Sequence, residues 1–240
     1  MKASLRLAGA LGLVLLAALA LAWSAWKLSS SRRYQLFGEL VTRVETTDSV
    51  VALTFDDGPI PHHTDSILQV LADSNVRATF FTIGSGLRDH PDIAARIVRA
   101  GHELGNHSYS HRRMVLKSPG YVRREISDTD SLIRSAGYGA TIHFRPPYSK
   151  RLVVLPWILS RDDRPVILAD LEPDSHYRDA PRMVEYVRRH ARPGSIILLH
   201  VEVPSRAAER EALPGIIGAL HAAGYRFVTV SELLRHGADS

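Results

Sequence analysis

Val50-Val51-Ala52-Leu53-Thr54-Phe55, followed at once by Asp56-Asp57-Gly58-Pro59, is the stretch that decides the fold. Six uncharged residues, half of them β-branched and one aromatic, read as a buried strand, and Gly-Pro reads as the turn that ends it. Outward from this strand the pattern recurs. Further strands are expected at Ala78–Ile83, Val166–Asp170, Ser195–His200 and Arg226–Val230. Helical spacing occupies the intervals at Asp65–Ala72, Pro91–Ala100, Tyr121–Ala136, Pro181–Ala191 and Glu209–Ala223. Pro91 and Pro181 suit the first turn of a helix, and Gly101, Gly137 and Gly224 suit its end. Strand–helix alternation sustained over roughly 190 residues means an α/β fold with a mostly parallel sheet, open or closed into a barrel.

The composition agrees. The 240 residues, 45% apolar and 23% charged, suit one globular domain of about 200 residues and exclude a mainly disordered chain. No cysteine is present, so disulfides, thiolate metal sites and cysteine nucleophiles are excluded. The formal charge of +5 sits at one end. Lys2, Arg6, Lys27, Arg32 and Arg33 are the only charged residues in 1–33, and from Tyr34 onward 25 basic residues balance 25 acidic ones. A neutral folded part argues against nucleic acid as a partner.

The N-terminus is a membrane signal. Between Arg6 and Lys27 lie twenty uncharged residues dominated by Leu and Ala and closing on Trp23 and Trp26. As a helix this run spans about 30 Å, the thickness of a bilayer's hydrocarbon. Residues 1–33 are expected to be an uncleaved anchor with basic flanks. The alternative is a secretory signal cut near Ala20-Leu21-Ala22. The flanking charges barely specify orientation. Residues 34–48 are expected to be a linker, 49–236 the folded domain and 237–240 a tail.

Polar clusters gather where the strands end. Asp56 and Asp57 place two carboxylates side by side just past a buried strand, an arrangement that needs a cation or hydrogen bonds unless it is only a turn. His107 and His111 stand four apart and would share a face if their loop made a helical turn. One aspartate and two histidines make a three-ligand metal site with positions left open for water and substrate. Zn²⁺ suits such a set, with Co²⁺, Ni²⁺ or Mn²⁺ also compatible. Arg145-Pro146-Pro147-Tyr148 sets an Arg and a Tyr on a stiff loop, and Ile196-Ile197-Leu198-Leu199 ends in His200. Each alone has an ordinary structural reading; four together, each at the end of a strand, describe a site.

In this order Thr54-Phe55-Asp56-Asp57-Gly58-Pro59, His107-Ser108-x-x-His111, Arg145-Pro146-Pro147-Tyr148 and Leu198-Leu199-His200 resemble the polysaccharide deacetylase family with its NodB homology domain, carbohydrate esterase family 4. The resemblance covers about residues 48–234 and implies a distorted (β/α)7 barrel that removes acetyl groups from N-acetylated sugars with a divalent metal. It implies that Asp57, His107 and His111 are metal ligands, Asp56 the general base and Arg145 the residue that orients it. It also implies that Tyr148 supplies a backbone donor to the oxyanion, that Leu198 lines the acetyl pocket and that His200 is the general acid. The implied substrate is an extracytoplasmic acetylated glycan; the membrane contact is expected from the N-terminal apolar run, and the oligomeric state is unspecified, a monomer being the default. An O-acetyl esterase and a non-catalytic glycan-binding protein are the alternatives on this fold.

One motif departs. Where the family has an Asp-x-x-Asp-Trp-like segment, this chain reads Asp170-Leu171-Glu172-Pro173-Asp174-Ser175-His176. The ungapped match places Glu172 at the first acid, Ser175 at the second and His176 at the Trp. Asp174 replaces Ser175 if the loop shifts by one.

Overall fold

The computed structural model describes residues 2–238 of the 240. Helix α1 (Lys2–Ser29) leads to a short strand β1 (Leu40–Val41) and then to β2 (Val50–Gly58). There follow α2 (His63–Asp73), β3 (Thr79–Thr82), α3 (Gly84–Asp89), α4 (Pro91–Arg99), β4 (Glu103–Asn106) and α5 (Pro119–Ser135). The second half holds α6 (Val154–Ser160), β5 (Val166–Ile167), α7 (Ala180–His190), β6 (Ile196–Leu199), α8 (Ala207–Ala222), β7 (Arg226–Val228) and α9 (Val230–Ala238).

All the ladders are parallel, and β2 is their centre, paired with β3, β6 and, along its first three residues, β7. β4 continues the sheet beyond β3, and β1 pairs with β5. The ring closes through single residues. Phe144 bridges Asn106 of β4 to Val166 of β5, and Leu171 bridges to Ile197 of β6. Closure by isolated bridges, in place of full ladders, makes the barrel a distorted one.

Period-two alternation along β2 sorts its side chains. Val51, Leu53 and Phe55 pack outward with Ile67, Leu71, Ile97 and Ile216 of the surrounding helices. Val50 and Ala52 face inward with Ile167, Ile196, Leu198 and Val230. By the same parity Thr54 and Asp56 belong to the interior.

The expected strands and helices are present, with differences at their edges. β4 reads Glu-Leu-Gly-Asn, without the β-branched residues that mark a strand; tertiary pairing makes it one, with all four residues buried. The expected strand at Val166–Asp170 stops at Ile167, where the chain bends and Asp170 turns to accept from Ser195 Oγ (2.9 Å) and Ile196 N–H (2.8 Å). β1, α3, α6 and α9 lie outside the sequence reading. The linker expected at 34–48 holds only in part. From Leu40 onward it belongs to the barrel: Leu40 and Val41 register with Val166 and Ile167, Val41 and Val44 are buried, and Val44 N–H donates to Gly194 O at 3.0 Å. Of the expected tail, Gly237 and Ala238 complete α9, and 239–240 lie outside the described residues.

α1 is docked at one end only. From Leu11 to Trp26 its large apolar side chains face outward, Leu21 with 72% of its surface exposed. At Ser29 it meets the barrel. Arg151 is buried, its backbone N–H donates to Ser29 O at 2.9 Å, and its guanidinium donates to Ser31 O, to Gln35 Oε1 at 3.1 Å and to Ser149 O at 2.9 Å. A chain beginning at Tyr34 therefore strips the Ser31 carbonyl from a buried cation and the Ser29 carbonyl from that residue's backbone N–H. It is expected to unfold with about 3 kcal/mol less free energy than a chain beginning at Lys27, which paired urea titrations would measure.

Candidate active site

Two adjacent residues on a regular strand point to opposite faces. Asp56 and Asp57 do not, because the register between β2 and β3 slips between Asp56 and Gly58, leaving Asp57 bulged at φ 73°. A bulge re-aims one side chain, and both carboxylates reach the same cleft. Gly58 makes room for what lies beneath: a Cβ there would meet Glu202 Oε2 at 1.7 Å. Asp57, Ser108, His111, Tyr148 and Ser149 all hold φ between 52° and 73°. That strain, of order 1–3 kcal/mol per residue, persists only where the surroundings overdetermine it.

Asp56 is held from below. Arg145, 1% exposed, donates from Nη1 to Asp56 Oδ1 at 2.7 Å and to Thr54 Oγ1 at 2.8 Å. Its Nε and Nη2 donate to the carbonyls of Ile167 (3.3 Å) and Leu168 (3.1 Å), and the guanidinium lies over Phe81, 4.0 Å from the ring centroid.

Asp57 faces the histidines. Its Oδ1 stands 3.0 Å from His111 Nε2 and 3.5 Å from His107 Nε2, and it is buried with no hydrogen-bond partner. The carbonyl of Arg145 accepts from His107 Nδ1 at 2.8 Å. That bond fixes the ring so that Nε2 is the free nitrogen. Burial pushes the Asp57 carboxyl up, but the two imidazoles outweigh it and hold the group far below the usual carboxylate range. The ligand atoms of Asp57, His107 and His111 lie within 4.8 Å of one another. An orphaned carboxylate oxygen with two convergent nitrogens fits a divalent cation. The histidines meet without the helical turn their spacing suggested: positive φ at Ser108 and His111 folds the loop back and brings the rings to 5.0 Å.

His200 stands across the cleft. Its Nδ1 donates to Asp174 Oδ2 at 3.0 Å. The shift by one residue is therefore the arrangement the chain adopts. A 3-10 turn at Pro173–Ser175 buries Asp174 and leaves Ser175 donating to Glu172 Oε2 at 3.2 Å. Ser175 is not the supporting residue that the ungapped match made it, and His176 does not line the cleft but stacks 4.8 Å from Tyr186. Burial alone would depress the His200 imidazole. Asp174 above all, then the field of Asp56 and Asp57, overcome it and push the group up to about 9. Sequence reasoning missed Arg206 and Glu209. Arg206 reaches Asp174 at 3.6 Å and Glu209 at 3.5 Å, and Glu209 accepts from the His200 backbone N–H. It also missed Glu202, which accepts from Thr64 Oγ1 and is pushed up to about 7 by burial. No local pattern marks it, because the strand ends at Leu199 and Glu202 lies in the turn that follows.

Asp56, Asp57, His107, His111, Tyr148, Leu198 and His200 line one cleft of about 530 Å³, with Ser30, Arg32, Glu172 and Arg206 completing the wall. Arg145 lies beneath it. All eight residues expected of the site are thus brought together.

Comparison with known proteins gives the class. The polysaccharide deacetylase family profile matches residues 43–161, a stretch holding both aspartates, both histidines and Arg145. A chitooligosaccharide deacetylase of Rhizobium leguminosarum bv. trifolii is 35% identical over 190 residues, covering 74% of this chain and 88% of that one. The peptidoglycan-N-acetylmuramic acid deacetylase PdaC of Bacillus subtilis is 36% identical over 192 residues, covering 79% of this chain. A crystal structure of a peptidoglycan N-acetylglucosamine deacetylase matches with a TM-score of 0.76 at 31% identity, covering 81% of this chain and 92% of that one. The chain belongs to the polysaccharide deacetylase family. It spans 40% of the length of PdaC.

Arg145→Met leaves Asp56 buried without its cation and is expected to lower the unfolding free energy by about 3–5 kcal/mol. Adding Asp56→Asn should return part of that loss, read in the same denaturant titrations. The His200 arrangement predicts a pH profile. Without a cation at Asp57 the raised imidazole carries its proton below about 9 and loses it above; a bound cation opposes part of that field, so kcat/KM should fall with rising pH at or below that value. Asp174→Asn removes the largest raising influence and should move the alkaline limb to lower pH. An unmoved limb would detach Asp174 from the proton it is argued to hold.

Proposed function

We propose that the protein is a metal-dependent N-deacetylase of acetylated glycans, anchored in a membrane by α1 with the barrel outside the cytoplasm. The observation that carries it is the separation of one cleft into two electrostatic poles: Asp56 and Asp57 with two imidazoles on one side, a proton-rich His200 on the other. Amide hydrolysis needs both, a base for the attacking water and an acid for the departing amine.

Asp57, His107 and His111 would hold the divalent cation, Zn²⁺ being the first choice for two imidazoles and a carboxylate. When bound, it supplies Lewis acidity toward a water and the acetamide carbonyl. Asp56, fixed by Arg145, takes the proton from the attacking water. The Tyr148 backbone N–H serves the carbonyl oxygen as negative charge develops on it, and Leu198 accommodates the acetyl methyl. His200 gives its proton to the sugar nitrogen as the C–N bond breaks, leaving acetate and a free amine.

The two neighbouring aspartates should then fail differently. Asp57→Asn should lose metal, because a charged ligand becomes a neutral amide. Asp56→Asn should keep metal and lose roughly 10²–10⁴ in turnover. His200→Ala should keep metal and slow an acetamide more than an activated acetate ester, whose leaving group needs no proton. Metal content and turnover on both substrates, measured for all three variants, check this. Near-native turnover in Asp56→Asn, or equal slowing of both substrates in His200→Ala, would sink the acid–base assignment.

A further inference from the structure

The wall of the cleft that no catalytic role explains comes from the end of the apolar helix. Leu11–Ser29 is long and apolar enough to cross a bilayer, about 28 Å at 1.5 Å per residue. Its large apolar side chains from Leu11 to Trp23 are exposed, so lipid is the solvent that suits them. Ser30 follows directly, within about 4 Å along the chain, and Ser30 and Arg32 line the same cleft as Asp57 and His200. The junction is rigid: Ser29 is buried, Arg32 pairs with Glu172 at 2.6 Å and donates to Ala169 O at 3.2 Å. A cleft walled by the residues that leave the helix opens at the bilayer surface.

Cations without acidic partners gather beside that wall. Lys150 lies over Trp26 of α1, 3.9 Å from the ring centroid, and reaches Ser29 Oγ at 3.5 Å. Arg113 lies over Tyr148, 5.2 Å from the ring centroid, and Tyr148 lines the cleft. Neither cation makes an ion pair among the described residues, and Lys27 and Arg33 are exposed nearby in sequence. Burial, and then the field of Arg113, hold Lys150 below the ordinary lysine range, which an anion between them would relieve.

We propose that the substrate is a glycan joined through phosphate to a membrane lipid, with the sugar in the cleft beside Ser30 and Arg32 and the phosphate taken by Lys150 and Arg113. The proposal rests on the deacetylase and anchor reading above and names its substrate class. A polymer lying far from the membrane would have no use for this wall.

The test uses the full chain, loaded with Zn²⁺, in phosphatidylcholine vesicles, with acetate release as the readout. One N-acetylglucosamine oligomer is offered free in solution, joined by phosphate to a long-chain prenol in the vesicles, and joined to the same prenol by a neutral ether. The phosphate-linked form should be hydrolysed about tenfold faster than the ether-linked form at equal surface density, the scale of one charge-assisted contact. Lys150→Gln with Arg113→Gln should erase that advantage, and Lys150→Arg with Arg113 intact should keep it. Equal rates on the two lipid-linked forms, or a free oligomer hydrolysed as fast as the phosphate-linked one, would overturn the proposal and leave the deacetylase standing. A rise on the free oligomer when phosphatidylglycerol enters the vesicles would assign the cations to bulk headgroups and overturn it too. No acetate from any form would overturn the deacetylase reading itself.

Discussion

The ion pair between Asp56 and Arg145 sits at the structural centre of the molecule. Both partners are buried, where an uncompensated charge would cost several kcal/mol. The pair is tolerated because the guanidinium also meets Thr54 and the carbonyls of Ile167 and Leu168, and rests on Phe81. Those contacts tie β2, β3 and the β5 edge together where the ladder bonds are fewest. Arg145 then gives its own carbonyl to His107. One residue thus fixes the Asp56 carboxylate and sets the tautomer of His107.

This coupling explains how adjacent carboxylates can have different chemistry. Asp56 keeps the interior parity of β2 and takes the guanidinium; Asp57, bulged out of register, takes the imidazoles. A regular strand would have sent one of them among Leu53, Phe55 and the helices. The opposite pole is built by the same economy of partners. Asp174 holds His200, Arg206 offsets Asp174 and Glu209, and Glu209 accepts from the His200 backbone. A cation held at Asp57 would oppose the field that Asp56 and Asp57 exert on His200, which leaves Asp174 as the contact that keeps the imidazole protonated.

The parts of this legible in the sequence are those written in local pattern. The run at 50–55, the helices punctuated by proline and glycine, and the polar residues closing each strand all follow from periodicity and turn chemistry. What stayed hidden depends on distant partners. Glu103-Leu104-Gly105-Asn106 becomes a strand only because β3 lies beside it, and Leu40-Val41 only because β5 does. Glu202 and Glu209 carry no signal of their own. Their meaning comes from burial against Thr64 and His200, which no spacing rule encodes.

The stretch at 170–176 shows why a residue-by-residue match can miss by one position while the chemistry survives. Proline at 173 starts a tight turn, and one residue of such a turn rotates the next side chain inward; the position facing His200 is therefore set by the proline, not by the count from Asp170. With Asp174 serving His200, Glu172 is released from that duty and pairs instead with Arg32. The altered motif and the docked end of α1 are thus two sides of one contact. A change that reads as loss of a motif in the barrel alone becomes, with the helix in place, the attachment that brings the end of α1 into the cleft.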